Sequence, residues 1–206
     1  MTASAPFDIT EDRCWFTSDL HFGHARILEY CRRPFATVEE MDNALITNWN
    51  LLVRPEDTVF VVGDFSLASK QHQIRKYRER LRGSIVLIRG NHDSRKGFIA
   101  FDQVEDLLRV RVTTEQPMLR PLDGQPYMLR EQQTLVLCHY GMEVWEGAHK
   151  GAWHLHGHSH GTLPRRGRRM DVGVDCHSFA PVSFAQVANV LSQVPFERVD
   201  AHKERT

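Results

Sequence analysis

Ser84-Ile85-Val86-Leu87-Ile88-Arg89-Gly90-Asn91-His92-Asp93 is an apolar run of strand length that stops abruptly in small and polar residues. Its β-branched content suits a buried strand, and Gly-Asn followed by His-Asp marks a turn carrying chemically capable side chains. Working outward, the same pattern returns twice upstream and twice downstream. Residues 13–18 run into Asp19, residues 57–62 into Gly63-Asp64, residues 134–138 into His139, and residues 152–156 into Gly157-His158-Ser159-His160. Five strand candidates therefore end in ligand-type residues.

Helical patterns separate the early strands. Thr37 with Glu40 three residues on forms a capping-box signature, Met41, Leu45, Trp49 and Leu52 continue at helical spacing, and Pro55 closes the stretch. The spacing of Ile74, Tyr77 and Leu81 predicts a second helix over about 67–81, with Gly83 as terminator. The first half thus reads βαβαβ. After about residue 107, shorter strand-like pieces with turn signals at Pro117, Pro121-Leu122-Asp123-Gly124 and Pro126 suggest a more antiparallel half. Ser183 is placed as the cap of a last helix with Val187, Val190, Leu191 and Val194 on one face and Pro195 just beyond. With no linker, repeat or low-complexity tract, the expectation is one mixed α/β domain over 1–206, its core about 13–195 with short flexible ends.

Composition narrows the function classes. The chain has 206 residues, 41% hydrophobic and 25% charged, enough for a sizeable core and unlike a disordered or fibrous protein. Lys plus Arg and Asp plus Glu each number 26, so no bulk field draws it to nucleic acid or anionic lipid. Cys14, Cys31, Cys138 and Cys176 form no CxxC pair, which suits a reducing cytosol better than a disulfide scaffold. Residues 1–12 lack the pattern of a signal peptide, and no apolar run of about eighteen residues is present to span a bilayer, so a cytoplasmic protein is expected. The 12 histidines fall mostly in a few short clusters.

In open α/β sheets ligands gather beyond the carboxyl ends of strands. Those positions hold Asp19, His21, Asp64, Asn91, His92, His139, His158 and His160. Carboxylate, imidazole and amide oxygen without thiolate suit borderline divalent ions such as Mn, Fe or Zn, and eight such groups exceed the needs of one tetrahedral ion. Two ions sharing a bridging carboxylate would use them naturally. Each piece alone has an ordinary structural reading: Asp-x-His as a cap or turn, Gly-Asp as a turn, a lone His139 as a hydrogen-bonded core histidine, His158-x-His160 as a surface cluster.

Together, in this order and spacing, Asp19-x-His21, Gly63-Asp64, Gly90-Asn91-His92-Asp93, His139 and Gly157-His158-x-His160 resemble the signature blocks of the calcineurin-like metallophosphoesterase superfamily, over about residues 13–176. The start Asp19-Leu20-His21-Phe22-Gly23-His24 and the short chain resemble its small bacterial and phage-type branch. The resemblance implies a four-layer α/β/β/α sandwich of two mixed sheets flanked by helices. It also implies a dinuclear centre: Asp19, His21 and His160 on the first ion, Asp64 bridging, and Asn91, His139 and His158 on the second. Mn is the expected metal, with Fe, Zn, Ni or Mg as alternatives. His92 would contact the phosphate or protonate the leaving oxygen, and Asp93 beside it would orient the imidazole. The expected reaction is hydrolysis of a phosphate monoester or diester, of a small molecule or nucleotide, by in-line attack of a metal-bridging hydroxide. A nuclease or cyclic-phosphate hydrolase with the same centre is the alternative among enzymes, and a partner-binding scaffold of this fold the alternative outside them. Neither a membrane nor an obligate protein partner is implied.

Two departures bear on the substrate. Gly63-Asp64 continues as Phe65-Ser66-Leu67 where protein phosphatases carry an Asp-Arg-Gly, and Gly-Asn-His-Asp replaces their Gly-Asn-His-Glu, which disfavours a phosphoprotein phosphatase. A small, open site is expected. His24 is a candidate substrate residue, with a solvent-facing helix start as its alternative. Arg165 and Arg166, with Arg168 and Arg169, form either a solvated hairpin tip or an anion-binding edge. Trp145 and Trp153 are candidates to stack on a base, with core packing as the alternative. Asp171, Asp175 and His177 are expected to orient ligands or close the fold.

Overall fold

The structure, a computed structural model, describes residues 5–68, 70–120 and 125–196. In chain order its strands are β1 (Phe7–Thr10), β2 (Cys14–Thr17), β3 (Thr58–Val61), β4 (Ser84–Ile88), β5 (Gln103–Glu105), β6 (Leu108–Leu119), β7 (Pro126–Leu137), β8 (Trp153–His156), β9 (Arg169–Asp171) and β10 (Val182–Ser183). They form two five-stranded mixed sheets, ordered β1-β6-β7-β8-β9 and β10-β2-β3-β4-β5. In the second sheet β2, β3, β4 and β5 are parallel neighbours and β10 joins antiparallel. In the first, the antiparallel β6–β7 pair is flanked by parallel pairings.

The unbroken apolar runs are explained by burial on both faces. Phe60, Val62, Val86 and Ile88 point between the sheets and meet Val110, Val112, Leu135, Leu137 and Leu155. Their neighbours Val59, Val61, Ile85 and Leu87 point the other way, onto Met41, Leu45, Trp49 and Ile74 of two helices. Each strand residue therefore loses apolar surface to a partner whichever way it points, at ~25 cal/mol per Å² removed from water.

The helices are α1 (Ile27–Tyr30), α2 (Val38–Leu52), α3 (Gln71–Arg78) and α4 (Phe184–Leu191). Thr37 caps α2 by accepting from the Glu40 N–H at 3.1 Å, but the Glu40 carboxylate reaches one residue further back, to the Ala36 N–H at 2.8 Å. Ser183 and Gln186 form a complete capping box on α4, whose Phe184, Val187 and Leu191 close one end of the inter-sheet core. Outside the first sheet, Trp145, Ala148 and Ala152 cover Val136 by way of a single 3₁₀ turn at Ala148–Lys150.

Three expectations need correction. The second helix begins at Gln71, not near 67, because residues 66–67 are tied to Phe22: Ser66 Oγ donates to the Phe22 carbonyl at 2.9 Å and the Leu67 N–H does so at 3.3 Å. It ends at Arg78, after which the Arg80 and Leu81 N–H groups bond three residues back in a tighter turn that still buries Leu81. Finally, the short pieces expected around Pro117 and Pro126 are two 12-residue strands, and only the later β8, β9 and β10 are short. Pro117 lies inside β6 opposite Met128, tolerated because β1 pairs only with Val110 to Thr113 and, among the described residues, that part of β6 has no second neighbouring strand. The turn expected at Pro121-Leu122-Asp123-Gly124 lies outside the described residues, as do the outermost residues of both expected flexible ends. Among the described residues, no helix is long and apolar enough to cross a membrane.

Candidate metal centre

Because β2, β3 and β4 are parallel neighbours, their carboxyl ends fall on one edge of the sheet, and Asp19, Asp64 and Asn91 arrive there together. β7 and β8, also parallel, bring His139 and the 157–160 loop to the matching edge of the other sheet. The edges are stitched: the Asp19 N–H donates to the Gly63 carbonyl, His21 to Asp64, Gly157 to His139, each at 3.0 Å, and Val174 to Ser18 across the two sheets at 3.0 Å.

This convergence produces two clusters, Asp19 with His21 and His160, and Asp64 with His139 and His158, each with its ligand atoms within 4.8 Å of one another. They meet at one atom. Asp64 Oδ2 lies 3.6 Å from His21 Nε2 and 3.5 Å from His139 Nε2, while Asp64 Oδ1 accepts the His92 N–H at 2.9 Å. Asn91 joins the second cluster with its Oδ1 3.1 Å from His139 Nε2.

The donor chemistry fits cations. His139 Nδ1–H donates to the Val62 carbonyl at 2.8 Å, so in the neutral ring Nε2 carries a lone pair aimed at the oxygens of Asn91 and Asp64, which are acceptors too. Only a proton or a metal ion can sit among them. Burial alone would lower the His139 pKa, yet the hydrogen bond and charge of Asp64 raise it. Among the described residues neither ring nitrogen of buried His21 has a hydrogen-bond partner, and burial drives its pKa down to about 3, which favours the neutral ring, the form able to bind a cation. Burial raises the Asp19 carboxyl, although His160 and His139 oppose the shift.

Behind the clusters stands a set of orienting groups. His160 Nδ1–H donates to Asp175 Oδ2 at 2.7 Å, which leaves Nε2 for the centre. Asp175 is gripped by Arg33 through Nε and Nη2, both at 2.8 Å, and the same guanidinium donates to the Asp19 and Leu20 carbonyls at 2.7 and 3.1 Å. Cys31 lies near His160 and Asp175, but Asp175 is already committed to His160 and Arg33. Asp171 accepts from Ser159 Oγ and from the Gly161 and Gly173 N–H groups at 2.8–2.9 Å, wrapping the 157–161 loop. Gly157 has no room for a side chain, since a Cβ would collide with Ser18 Oγ and the Asp19 carboxylate. Asp19, His21, Asp64, His158 and His160 all have φ between 46 and 67°, the left-handed region that residues other than Gly rarely enter, Asn, Asp and His more often than the rest.

The other expected residues are distributed unevenly. His92 is exposed beside the centre, its ring 5.4 Å from His21 and 6.2 Å from His24, so His24 borders the site too. Asp93 does not orient His92: its carboxylate accepts the N–H groups of Asp64, Phe65 and Gly90 at 2.8–2.9 Å and so pins the two loops together. A carboxylate engaged by three backbone donors fixes loop geometry. The arginine run does not act as one edge. Arg169 is buried and donates to the Met142 and Pro164 carbonyls, Arg168 donates to Val194, and Arg166 pairs with Glu143 at 2.6 Å. Arg165 instead lines a cavity with His156, Thr162, Cys176 and His177. Trp145 and Trp153 are buried in the core. Arg33 escaped sequence reasoning altogether, because its partner Asp175 lies 142 positions away and no local pattern marks it.

A family model described as calcineurin-like phosphoesterase matches residues 13–190. Over 82 residues the chain is 50% identical to the uncharacterized protein MJ1445 of Methanocaldococcus jannaschii, covering 39% of this chain and about half, 47%, of that protein. The Gene 66 protein of Mycobacterium phage L5 is 31% identical over 182 residues, with 78% of this chain and 86% of the phage protein covered. A crystal structure of the protein of unknown function AQ665 from Aquifex aeolicus superposes with a TM-score of 0.59 and 20% identity, covering 86% of this chain and 98% of that one, a likeness of fold.

Proposed function

The chain belongs to the calcineurin-like phosphoesterase family, its phage relatives fitting the small phage-type branch, and from that premise we propose that it is a dinuclear-metal-dependent hydrolase of a phosphate ester. Asp19, His21 and His160 would hold one divalent ion and Asn91, His139 and His158 the other, with Asp64 shared. When bound, two such ions supply positive charge to the phosphate oxygens and make water nucleophilic at neutral pH. The observation that carries this reading is Asp64 Oδ2, which faces His21 and His139 at nearly equal distance.

The chain's own residues do the remaining work. Val62 and Asp175 fix the tautomers of His139 and His160. His92, held at its backbone by Asp64, is the exposed imidazole that donates a proton to the leaving ester oxygen. Asp93 holds the Asp64 and Gly90 loops at a constant separation. A donor set of imidazole, carboxylate and amide oxygen without thiolate suits Mn, Fe or Zn, and of these we read Mn, the metal the family resemblance implies. We further read 1–206 as a single domain of the cytoplasm, in keeping with four free cysteines.

The test is an assay of metal-reconstituted protein on paired nitrophenyl phosphate mono- and diesters, with metal content measured alongside. Chelation and Asp64→Ala should each remove turnover, and His92→Ala should keep the metal but lose turnover by ~10²–10⁴-fold. Hydrolysis that survives both chelation and Asp64→Ala overturns the reading.

A further inference from the structure

Among the described residues only three Phe, Tyr or Trp side chains are exposed, Tyr30, Tyr140 and Phe196, and the first two border the centre, one beside each cluster. The Tyr140 ring, 49% exposed, lies 4.8 Å from His158 and 5.1 Å from His139. It shares a cavity of about 430 Å³ with Asn91, His139, Arg89 and Arg95. Arg89 is paired with Asp106 at 2.7 Å, whereas Arg95 is exposed and makes no ion pair with a described residue. On the other side the Tyr30 ring, 58% exposed, lies 6.1 Å from His24, whose own ring is 5.4 Å from His21. The Arg26 guanidinium sits 5.0 Å from the Tyr30 centroid, and a cavity of about 550 Å³ runs from Tyr30 past Ile27 to His21, Asp64, His92 and His158.

An exposed ring with an arginine at hand is how proteins hold an unpaired base without reading its sequence: the base stacks on the ring and the guanidinium takes the neighbouring phosphate or base face. One such place would suit a monoester, which has a single organic arm. Here there are two, separated by the atoms that would hold phosphorus. We propose that Tyr30 and Tyr140 are stacking platforms for the two arms of a phosphodiester, so that the chain selects an ester with a nucleobase on each side of phosphorus, of dinucleotide length. This rests on the phosphoesterase reading and adds the substrate class. Zero net charge agrees with a short ligand, since long polyanions are held by many phosphate contacts.

The test compares the dinucleoside phosphate TpT with thymidine monophosphate, using wild type, Tyr30→Ala, Tyr140→Ala and the two Tyr→Phe variants. Hydrolysis is followed on Mn-loaded protein and TpT binding is titrated on metal-free protein. Wild type should prefer TpT, and each alanine variant should raise its KM and its Kd by about tenfold with kcat little changed. Phenylalanine should restore both, and the monophosphate should respond to one ring only. Preference for the monophosphate, or a KM and Kd for TpT indifferent to both rings, overturns the proposal. If metal-loaded wild type hydrolyses no ester at all, the phosphoesterase reading fails instead, and the titration on metal-free protein still decides the platforms.

Discussion

The two clusters share Asp64 yet differ in how they are enclosed. Asp19 and His21 are buried, and His160 is backed by Asp175, itself gripped by an Arg33 that is 4% exposed. In the second cluster His139 is buried, but Asn91 and His158 are exposed, with the Tyr140 ring 4.8 Å from that of His158. One half of the site is set inside the fold, while the other is finished at its surface. The difference teaches that the clusters answer to different forces: the first is tied to folding through a desolvated ion pair, the second to ligands that solvent can reach. An ion in the first should therefore exchange slowly and one in the second readily.

The largest break should come from Arg33→Ala. Removing one partner of a buried pair costs about 3–5 kcal/mol. It also frees Asp175 and the Asp19 and Leu20 carbonyls, so thermal melting should fall sharply and the more tightly held ion should be lost first. An Arg33→Ala protein that melts like wild type and keeps its tighter ion would end the comparison. A milder break is Asn91→Ala. Isothermal titration should show one site unchanged and the other weakened beyond the ~10–100-fold that losing an outer partner costs, with melting nearly unaltered. Equal weakening of both sites would mean that the clusters act as one.

The smallest effect sharpens the second cluster from behind. His154 donates from Nδ1 to the Val136 carbonyl at 2.8 Å and accepts the Met142 N–H at Nε2, 3.1 Å away, holding the loop that follows His139. Burial lowers its pKa from 6.5 to about 4. The folded state therefore binds fewer protons there than the unfolded chain, so this stabilisation is complete above pH 6.5 and drains away as pH falls toward 4, by up to ~1.4 kcal/mol per pH unit. His154→Gln should flatten the melting temperature against pH in that window, and an unchanged slope would remove His154 from the account.

Much of this was legible in the sequence where one short segment decides the outcome. β2, β3 and β4 were visible because burial on both faces makes most of their residues apolar, β8 because Trp153 and Leu155 alternate with His154 and His156, and the candidate ligand residues because they follow those strands directly. β5, β9 and β10 are two or three residues long and exist by pairing with distant partners, so no periodicity announces them. The position of Asp93 next to His92 suggested an orienting role, but its carboxylate is claimed by Asp64 and Phe65, 29 and 28 positions upstream. Arg33 and Asp175 show the same limit. Residues at strand ends declare themselves, and the groups that steer them are assembled by topology.

The left-handed backbone at Asp19, His21, Asp64, His158 and His160 has a consequence for how this protein can change. A side chain in that region costs roughly 1–2 kcal/mol that glycine would not. Selection for heat tolerance alone would therefore erode the site: His158→Gly, whose lost side chain is exposed, should melt in its metal-free form at or above the wild-type temperature while turning over nothing. Endurance and turnover pull this edge of the sheets in opposite directions, and a lineage that no longer needed the reaction would be expected to lose its histidines there before it lost its fold.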